Sequence, residues 1–340
     1  MRSTNRVFHV LLISFLAITC GCSAPDPEWT FSAPTMGTTY TVKVVEAPRS
    51  VTVHTVQRTI DEVLNLIDVS MSQYRSDSEV SRFNAARSTA WFPVSDDLAR
   101  VVKKSQEVAA QSNGAFDITV GPLVNAWGFG SQRPDQSPSS SELQGISAYV
   151  GFQKLEVRAQ PAAIRKQNAE LEIDVNGIAP GYAVDVLAAK FAHLGLKNFV
   201  IDIGGEVAAR GHNAGGQPWR IAIERPTDQP AAPFGFVSLQ DAGVTTSGEY
   251  RHYYIKDGRR YSHTVDPRTF APVQHDLAAV VVAGASTMDI DAWATALNVL
   301  GADAGFALAR DRGIAAMFIR ERNGELSSTM TQQFRAYVAK

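Results

Sequence analysis

Cysteine is nearly missing from this 340-residue chain, and its two copies, Cys20 and Cys22, both lie close to the N-terminus. Beyond Cys22 there is no thiol, which excludes a disulfide, a thiolate metal site or a cysteine nucleophile in the body of the protein. An excess of positive charge is missing too. The formal net charge is -2, which leaves no electrostatic case for nucleic acid. An anionic ligand is not excluded, since backbone N–H groups and a metal ion can hold phosphate without a basic surface. The chain has no G-x-x-x-x-G-K-[ST], and no G-x-G-x-x-G opens a helix after a strand, so neither common nucleotide-binding loop is present. H-E-x-x-H and G-x-S-x-G are absent as well. What is present is a globular composition: 45% of residues are hydrophobic and 19% charged. The length suffices for one large or two ordinary domains.

Arg2 and Arg6 precede the apolar run Val7 to Ile18, and Thr19-Cys20-Gly21-Cys22-Ser23 follows. A positive start, a short apolar stretch and small residues at its end read as a secretory signal peptide over 1–21. The run is too short for a comfortable membrane span. Gly21-Cys22 resembles a bacterial lipobox, which makes Cys22 the expected lipid acceptor. The alternative is an ordinary signal peptide with incidental cysteines. Residues 22–30 read as a tether and 31–340 as the body. The expected location is the periplasmic side of a membrane, held by lipid.

Within the body, β-branched Thr39 to Val45 reads as a strand. Val56, Ile60, Val63, Leu64 and Ile67 fall at helical spacing, as do Leu98, Val101, Val102 and Ala109, whose helix stops near Asn113-Gly114. Ser131 to Ser141 reads as a surface loop. Leu171 to Val175 is expected as a strand, followed by a helix through Val184, Leu187, Phe191 and Leu194 and a strand at Phe199 to Ile203. Trp219 to Ile223, Phe236 to Leu239 and Ala278 to Ala283 read as strands. Asp257-Gly258 marks a hairpin between His252 to Ile255 and Arg260 to Thr264. Asp289 to Leu300 is helical, and Phe306 to Arg310 with Ala315 to Ile319 forms a last helix–strand pair. Strands mixed with helices in this way fit α+β, with mixed or antiparallel sheets and packed helices.

Three places carry candidate chemistry. Tyr261-Ser262-His263-Thr264-Val265-Asp266-Pro267-Arg268 sets a histidine between two short strands, and Pro267 biases Asp266 toward an extended backbone. His263 is either a proton carrier at a strand end or part of a hairpin whose polar residues only shape the turn. Asp174-Val175-Asn176-Gly177-Ile178-Ala179-Pro180-Gly181-Tyr182 opens a helix. Its glycines and helix N-terminus suit an anion, or Asp174 and Asn176 are simple caps. Asp291 and Thr295 are i, i+4, so one metal ion could touch both oxygens, or they sit at a solvated helix start. Met36-Gly37-Thr38-Thr39 and Met71-Ser72-Gln73-Tyr74 read as pocket walls or core.

Together these segments resemble the ApbE family of periplasmic FAD:protein FMN transferases. The resemblance rests on Met36-Gly37-Thr38, Ser72-Gln73-Tyr74 with Ser78-Glu79 and Phe83-Asn84, and Gly114 to Leu123. It continues through Asp174 to Asp185, Asp202-Ile203-Gly204-Gly205-Glu206, Ser247-Gly248-Glu249-Tyr250, Ser262 to Arg268, and Asp291 with Thr295. It implies an ApbE-like, T-fold-like flavin transferase fold. It also implies that FAD is the substrate, that FMN passes to a threonine or serine of an acceptor protein, and that AMP leaves. By the same resemblance, Gly177, Asp291 and Thr295 hold Mg²⁺ and His263 is the base. Met36, Tyr74, Ala115, Phe116, Asp117, Asp174, Pro180 and Val265 match positions that hold the flavin nucleotide. Pro180 stands where many members have a lysine, Ala294 where some have a second acid, and Glu249 where aspartate is usual. Two other readings stay open: a metal-dependent FAD pyrophosphatase, and an FAD-binding lipoprotein without catalysis.

Overall fold

In the computed structural model, residues 28–130, 137–227, 232–248, 253–256 and 259–339 are described. The signal peptide, Cys22, Glu249-Tyr250 and the Asp257-Gly258 turn lie outside these residues. The main sheet has eight strands, all antiparallel to their neighbours. In spatial order they are β1 (Trp29–Thr35), β2 (Thr38–Val45), β6 (Asn198–Ile203), β7 (Glu206–Arg210), β10 (Ala242–Gly248), β15 (Leu277–Gly284), β16 (Ala315–Arg322) and β17 (Glu325–Met330). A three-stranded sheet runs β3 (Phe92–Pro93), β5 (Ala162–Lys166), β4 (Leu155–Ala159). Three strand pairs complete the set: β8 (Trp219–Ile223) with β9 (Gly235–Leu239), β11 (Tyr253–Lys256) with β12 (Arg259–Ser262), and β13 (Val265–Asp266) with β14 (Ala271–Pro272). The helices are α1 (Val53–Met71), α2 (Glu79–Ala85), α3 (Asp96–Gln111), α4 (Gly121–Ala126), α5 (Ser140–Ser147), α6 (Ala179–His193) and α7 (Thr287–Asp311). The fold is α+β, as the pattern of elements predicts.

The unbroken apolar run of β15 has a direct cause. Val280 and Val282 face one side and pack with α7 residues Ile290 and Leu297. Ala279, Val281 and Ala283 face the other and pack with Trp219, Val237 and Leu239 of the β8–β9 pair. A strand covered on both faces needs apolar residues at every position rather than alternation. At the other end of the sheet, Val42 and Val44 of β2 pack with α1 and α6 through Ile60, Ile67, Val184 and Leu187. Thus α6 and α7 lie side by side on one face of the sheet, and their N-termini come together.

Three expectations are corrected. Leu171 to Val175 is not a strand. Its backbone is paired by side chains and loops instead: Asn84 Nδ2 donates to the Ile173 carbonyl at 2.9 Å and Asn84 Oδ1 accepts from the Ile173 N–H at 2.8 Å, Lys166 Nζ donates to the Leu171 carbonyl at 2.9 Å, and the Asp174 N–H donates to the Ile118 carbonyl. Trp29 and Thr30, expected before the body, belong to β1: Trp29 pairs with Val44 and is partly packed on the core. The two late helices expected from the sequence are the two halves of α7, separated by a kink at Gly301, whose φ of 74° is non-helical. His275 Nε2 donates to the Asn298 carbonyl at this kink, at 2.8 Å. Finally, the Ser131 to Ser141 loop gives way to α5 at Ser140, where Ser139 and Glu142 form a capping box.

Candidate active site

A cavity of about 610 Å³ opens between the main sheet, the α7 face and the β12–β13 connection. Its size suits a small organic ligand. Ala115, Phe116, Asp117, Asp174, Gly177, His263, Val265, Asp291 and Thr295 all line it. Three expected residues do not: Met36 sits in the β1–β2 turn at a φ of 47°, Tyr74 is 80% exposed, and Pro180 occupies the first turn of α6. Pro180 has no N–H, so it offers an anion neither a side-chain cation nor a backbone donor.

Each lining segment is held by its own network. Asp117 caps the short turn after it. Its Oδ1 accepts from the Thr119 N–H (2.8 Å) and hydroxyl (2.7 Å), and its Oδ2 accepts from the Phe152 N–H (2.7 Å). The carboxylate is therefore spent on the fold, and Ala115 to Asp117 meets the cavity along the chain. Asp174 Oδ1 accepts from the Asn176 N–H at 2.9 Å, which folds the loop that presents Gly177. A Cβ on Gly177 would lie 2.9 Å from Thr295 Oγ1, so this backbone must approach α7 closely. Asp291, one turn before Thr295, accepts from the Gly181 N–H at 3.0 Å through Oδ2. Gly177, Asp291 and Thr295, far apart in sequence, thus converge on one wall.

His263 follows β12. The Thr264 N–H donates to Ser262 Oγ at 3.0 Å, and Asp266 binds Arg268 through both carboxylate oxygens, at 2.8 and 2.7 Å. This turn chemistry fixes the segment that offers His263 to the cavity. Phe129 meets the imidazole edge to face, with ring centroids 6.5 Å apart. Asn298 of α7 donates to Thr264 Oγ1 at 3.3 Å and ties the His263 segment to the helix that carries Asp291 and Thr295.

Sequence reasoning missed the acidic floor of the site. Asp202 and Glu206 flank the β6–β7 turn, where Gly204 and Gly205 have φ of 69° and 107°. Both line the cavity, as do Thr38 and Thr39 of β2. The turn residues were visible in the sequence, but the pairing of β2 with β6 that brings them to the cavity was not. Asp117, Asp174, Asp202, Glu206, Glu224 and Asp291 give the lining six acidic residues, and among the described residues it has no lysine or arginine. Burial pushes Asp174 and Asp202 above the ordinary carboxyl range. Glu206 is raised well above it by burial, then by the charges of Asp291 and Asp202. Asp291 is pushed up to about 7, by burial first and also by Asp185, against the pull of the Gly181 N–H. Buried carboxyls that resist ionisation alone are suited to a cation. The donor set agrees: a carboxylate, a hydroxyl and a nearby backbone are hard oxygen ligands of the kind Mg²⁺ takes.

The ApbE family profile matches residues 36–318. The FAD:protein FMN transferase of Vibrio cholerae is 37% identical over 332 residues, covering 97% of this chain and 99% of that protein. The FAD:protein FMN transferase of Escherichia coli K12 is 35% identical, covering 97% of each. Among solved structures, the flavin transferase ApbE from Vibrio cholerae superposes with a TM-score of 0.85, covering 92% of this chain and all of that one at 37% identity. The apo flavinyl transferase ApbE of Pseudomonas stutzeri gives 0.83 at 40% identity, covering 91% and 96%. A profile match over most of the chain, near full-length identity and the shared fold agree: the chain belongs to the ApbE family.

Proposed function

We propose that this chain transfers FMN from FAD to a threonine or serine hydroxyl of an acceptor protein, in a Mg²⁺-dependent reaction that releases AMP. The observation that carries this reading is a single cavity that joins a hard-oxygen site at Gly177, Asp291 and Thr295 to a histidine on the facing segment. The relatives' shared name supplies the substrate and the class of acceptor.

The chain's own residues divide the work. Gly177, Asp291 and Thr295 would hold the cation, and the Gly181 N–H fixes one Asp291 oxygen in place. When bound, Mg²⁺ supplies neutralising charge at the pyrophosphate. The Ala115 to Asp117 backbone, Asp174 and Val265 shape the remainder of the nucleotide site. His263 takes the proton of the acceptor hydroxyl as its oxygen attacks the phosphorus of the FMN half. The bond to the AMP oxygen breaks, a phosphoester forms, and AMP leaves. The acceptor is an extracytoplasmic protein, and Cys22 carries the lipid that holds the enzyme at the membrane.

The test is direct. The mature protein is incubated with FAD, Mg²⁺ and a purified acceptor domain, and the gel is read for covalent flavin fluorescence while AMP is quantified. Covalent flavin with equimolar AMP supports transfer. AMP and free FMN without covalent flavin would make the protein a pyrophosphatase, and FAD binding without AMP would make it a binder.

A further inference from the structure

The helices α6 and α7 cap each other with carboxylates. Asp185 of α6 accepts from three donors at the start of α7: the Ser286 hydroxyl at 2.8 Å, the Thr287 N–H at 2.8 Å and the Met288 N–H at 3.0 Å. In return Asp291 of α7 accepts from the Gly181 N–H of α6, a helix with no side-chain cap of its own. The contact is close to backbone on backbone, since a Cβ on Gly181 would lie 2.5 Å from the Thr287 carbonyl oxygen and 2.8 Å from Asp291 Cβ.

The two halves of the cation site sit on opposite sides of this junction. Gly177 lies in the lead-in to α6, whereas Asp291 and Thr295 belong to α7. We propose that Asp185 is a positioning residue for that site: by gripping the first turn of α7 it fixes the offset between the two helices, and with it the separation of Gly177 from Asp291 and Thr295. A metal site tolerates little error in ligand position, and groups behind the ligands commonly set it. The proposal rests on the Mg²⁺ reading above and adds a residue that meets neither the substrate nor the ion.

The alternative is that Asp185 is only a helix cap, which would affect stability and nothing more. Calorimetric titration of the intact mature protein with MgCl₂ alone separates the two. Asp185→Glu keeps the charge and the acceptors but moves the carboxylate by one methylene. Asp185→Asn keeps the length and loses acceptors. Ser286→Ala, which removes a hydroxyl that also caps the Asp289 N–H, is the stability control. Circular dichroism sets a temperature at which every variant compared is folded. Asp185→Glu is expected to lose at least tenfold in Mg²⁺ affinity, and Asp185→Asn as much or more. Ser286→Ala is expected to bind within about twofold of wild type despite a lower Tm. Should Asp185→Glu not fold, Asp185→Asn decides by the same criterion. Wild-type affinity in the Asp185 variants, or losses that simply follow Tm across all three, would overturn the proposal. Asp291→Ala is run alongside. If it binds Mg²⁺ like wild type, the metal reading itself has failed, and that outcome is distinct from failure of Asp185 alone.

Discussion

At His263 the structure supplies what a general base needs: a fixed segment, an aromatic neighbour and a place on the cavity wall. Val265 apart, the other residues expected in the nucleotide site come from different segments. His263→Ala should therefore keep FAD affinity and Tm while transfer falls by about 10²–10⁴-fold, the usual worth of a general base. Flavin fluorescence titration and single-turnover transfer on one preparation check this, and near-wild-type transfer would rule the base role out. Gly181 makes the opposite case, a residue whose side chain must be missing. With backbone oxygen 2.5 Å from an added Cβ, Gly181→Ala has to push α6 off α7. Overpacking of this kind costs about 1–3 kcal/mol, and the shift also moves Asp291. Chemical denaturation should show the loss of stability, and Mg²⁺ titration of the folded variant should show weakened binding. A Gly181→Ala protein as stable as wild type would mean that the helices have slack the geometry does not suggest.

The elements show which features were legible from sequence. Spacing alone located α1, α3 and α6, because one buried face repeats every three to four residues. The i, i+4 relation of Asp291 and Thr295 is helix geometry, so their shared face was readable, whereas the approach of Gly177 to Thr295 depends on how α6 meets α7. Leu171 to Val175 misled for a physical reason: its apolar residues are buried as in a strand, but its ladder partners are Asn84 and Lys166 side chains, which no periodicity reveals. Lys166 itself, on β5, is fully buried and donates to Phe83 and Leu171 carbonyls at 3.0 and 2.9 Å. Burial lowers its pKa to about 8, with Arg87 adding to the shift and Glu172 and Glu170 opposing it. Because the unfolded chain holds this proton more tightly than the folded one, the Lys166 contribution makes stability rise with pH between about 8 and the ordinary lysine value of 10.5. Lys166→Met should remove that rise. Denaturation at a series of pH values reads it as a difference between the two proteins, and parallel curves would mean that the ammonium is not desolvated as its burial implies.

On the scale of the whole molecule the sheet gathers acids rather than bases around the cavity where the proposed function puts a pyrophosphate. The chain is near neutral, at -2 overall, yet its cavity lining has six acidic residues and no lysine or arginine among the described residues. Pro180, in the first turn of α6 beside the cavity wall, adds neither a side-chain cation nor an N–H. Two negative phosphates cannot enter such a cavity favourably on backbone donors alone, because like charges at close range in a poorly solvated site repel strongly. On the function proposed above, the balance comes from a cation held by Asp291, Thr295 and Gly177. Nucleotide affinity in this protein should then be unusually dependent on Mg²⁺. Chelation should weaken FAD binding at least tenfold while leaving riboflavin, which has no phosphate, within about twofold. The same contrast should appear with Mg²⁺ present in Asp291→Ala. Fluorescence titrations of both flavins, with Mg²⁺ and with chelator, measure the four affinities needed. If FAD and riboflavin lose affinity equally on chelation, the cation is supporting the fold rather than the phosphates. If neither changes, the acids of the cavity are neutralised by their own protons, and the raised carboxyl pKa values of Glu206 and Asp291 are how the protein admits an anion.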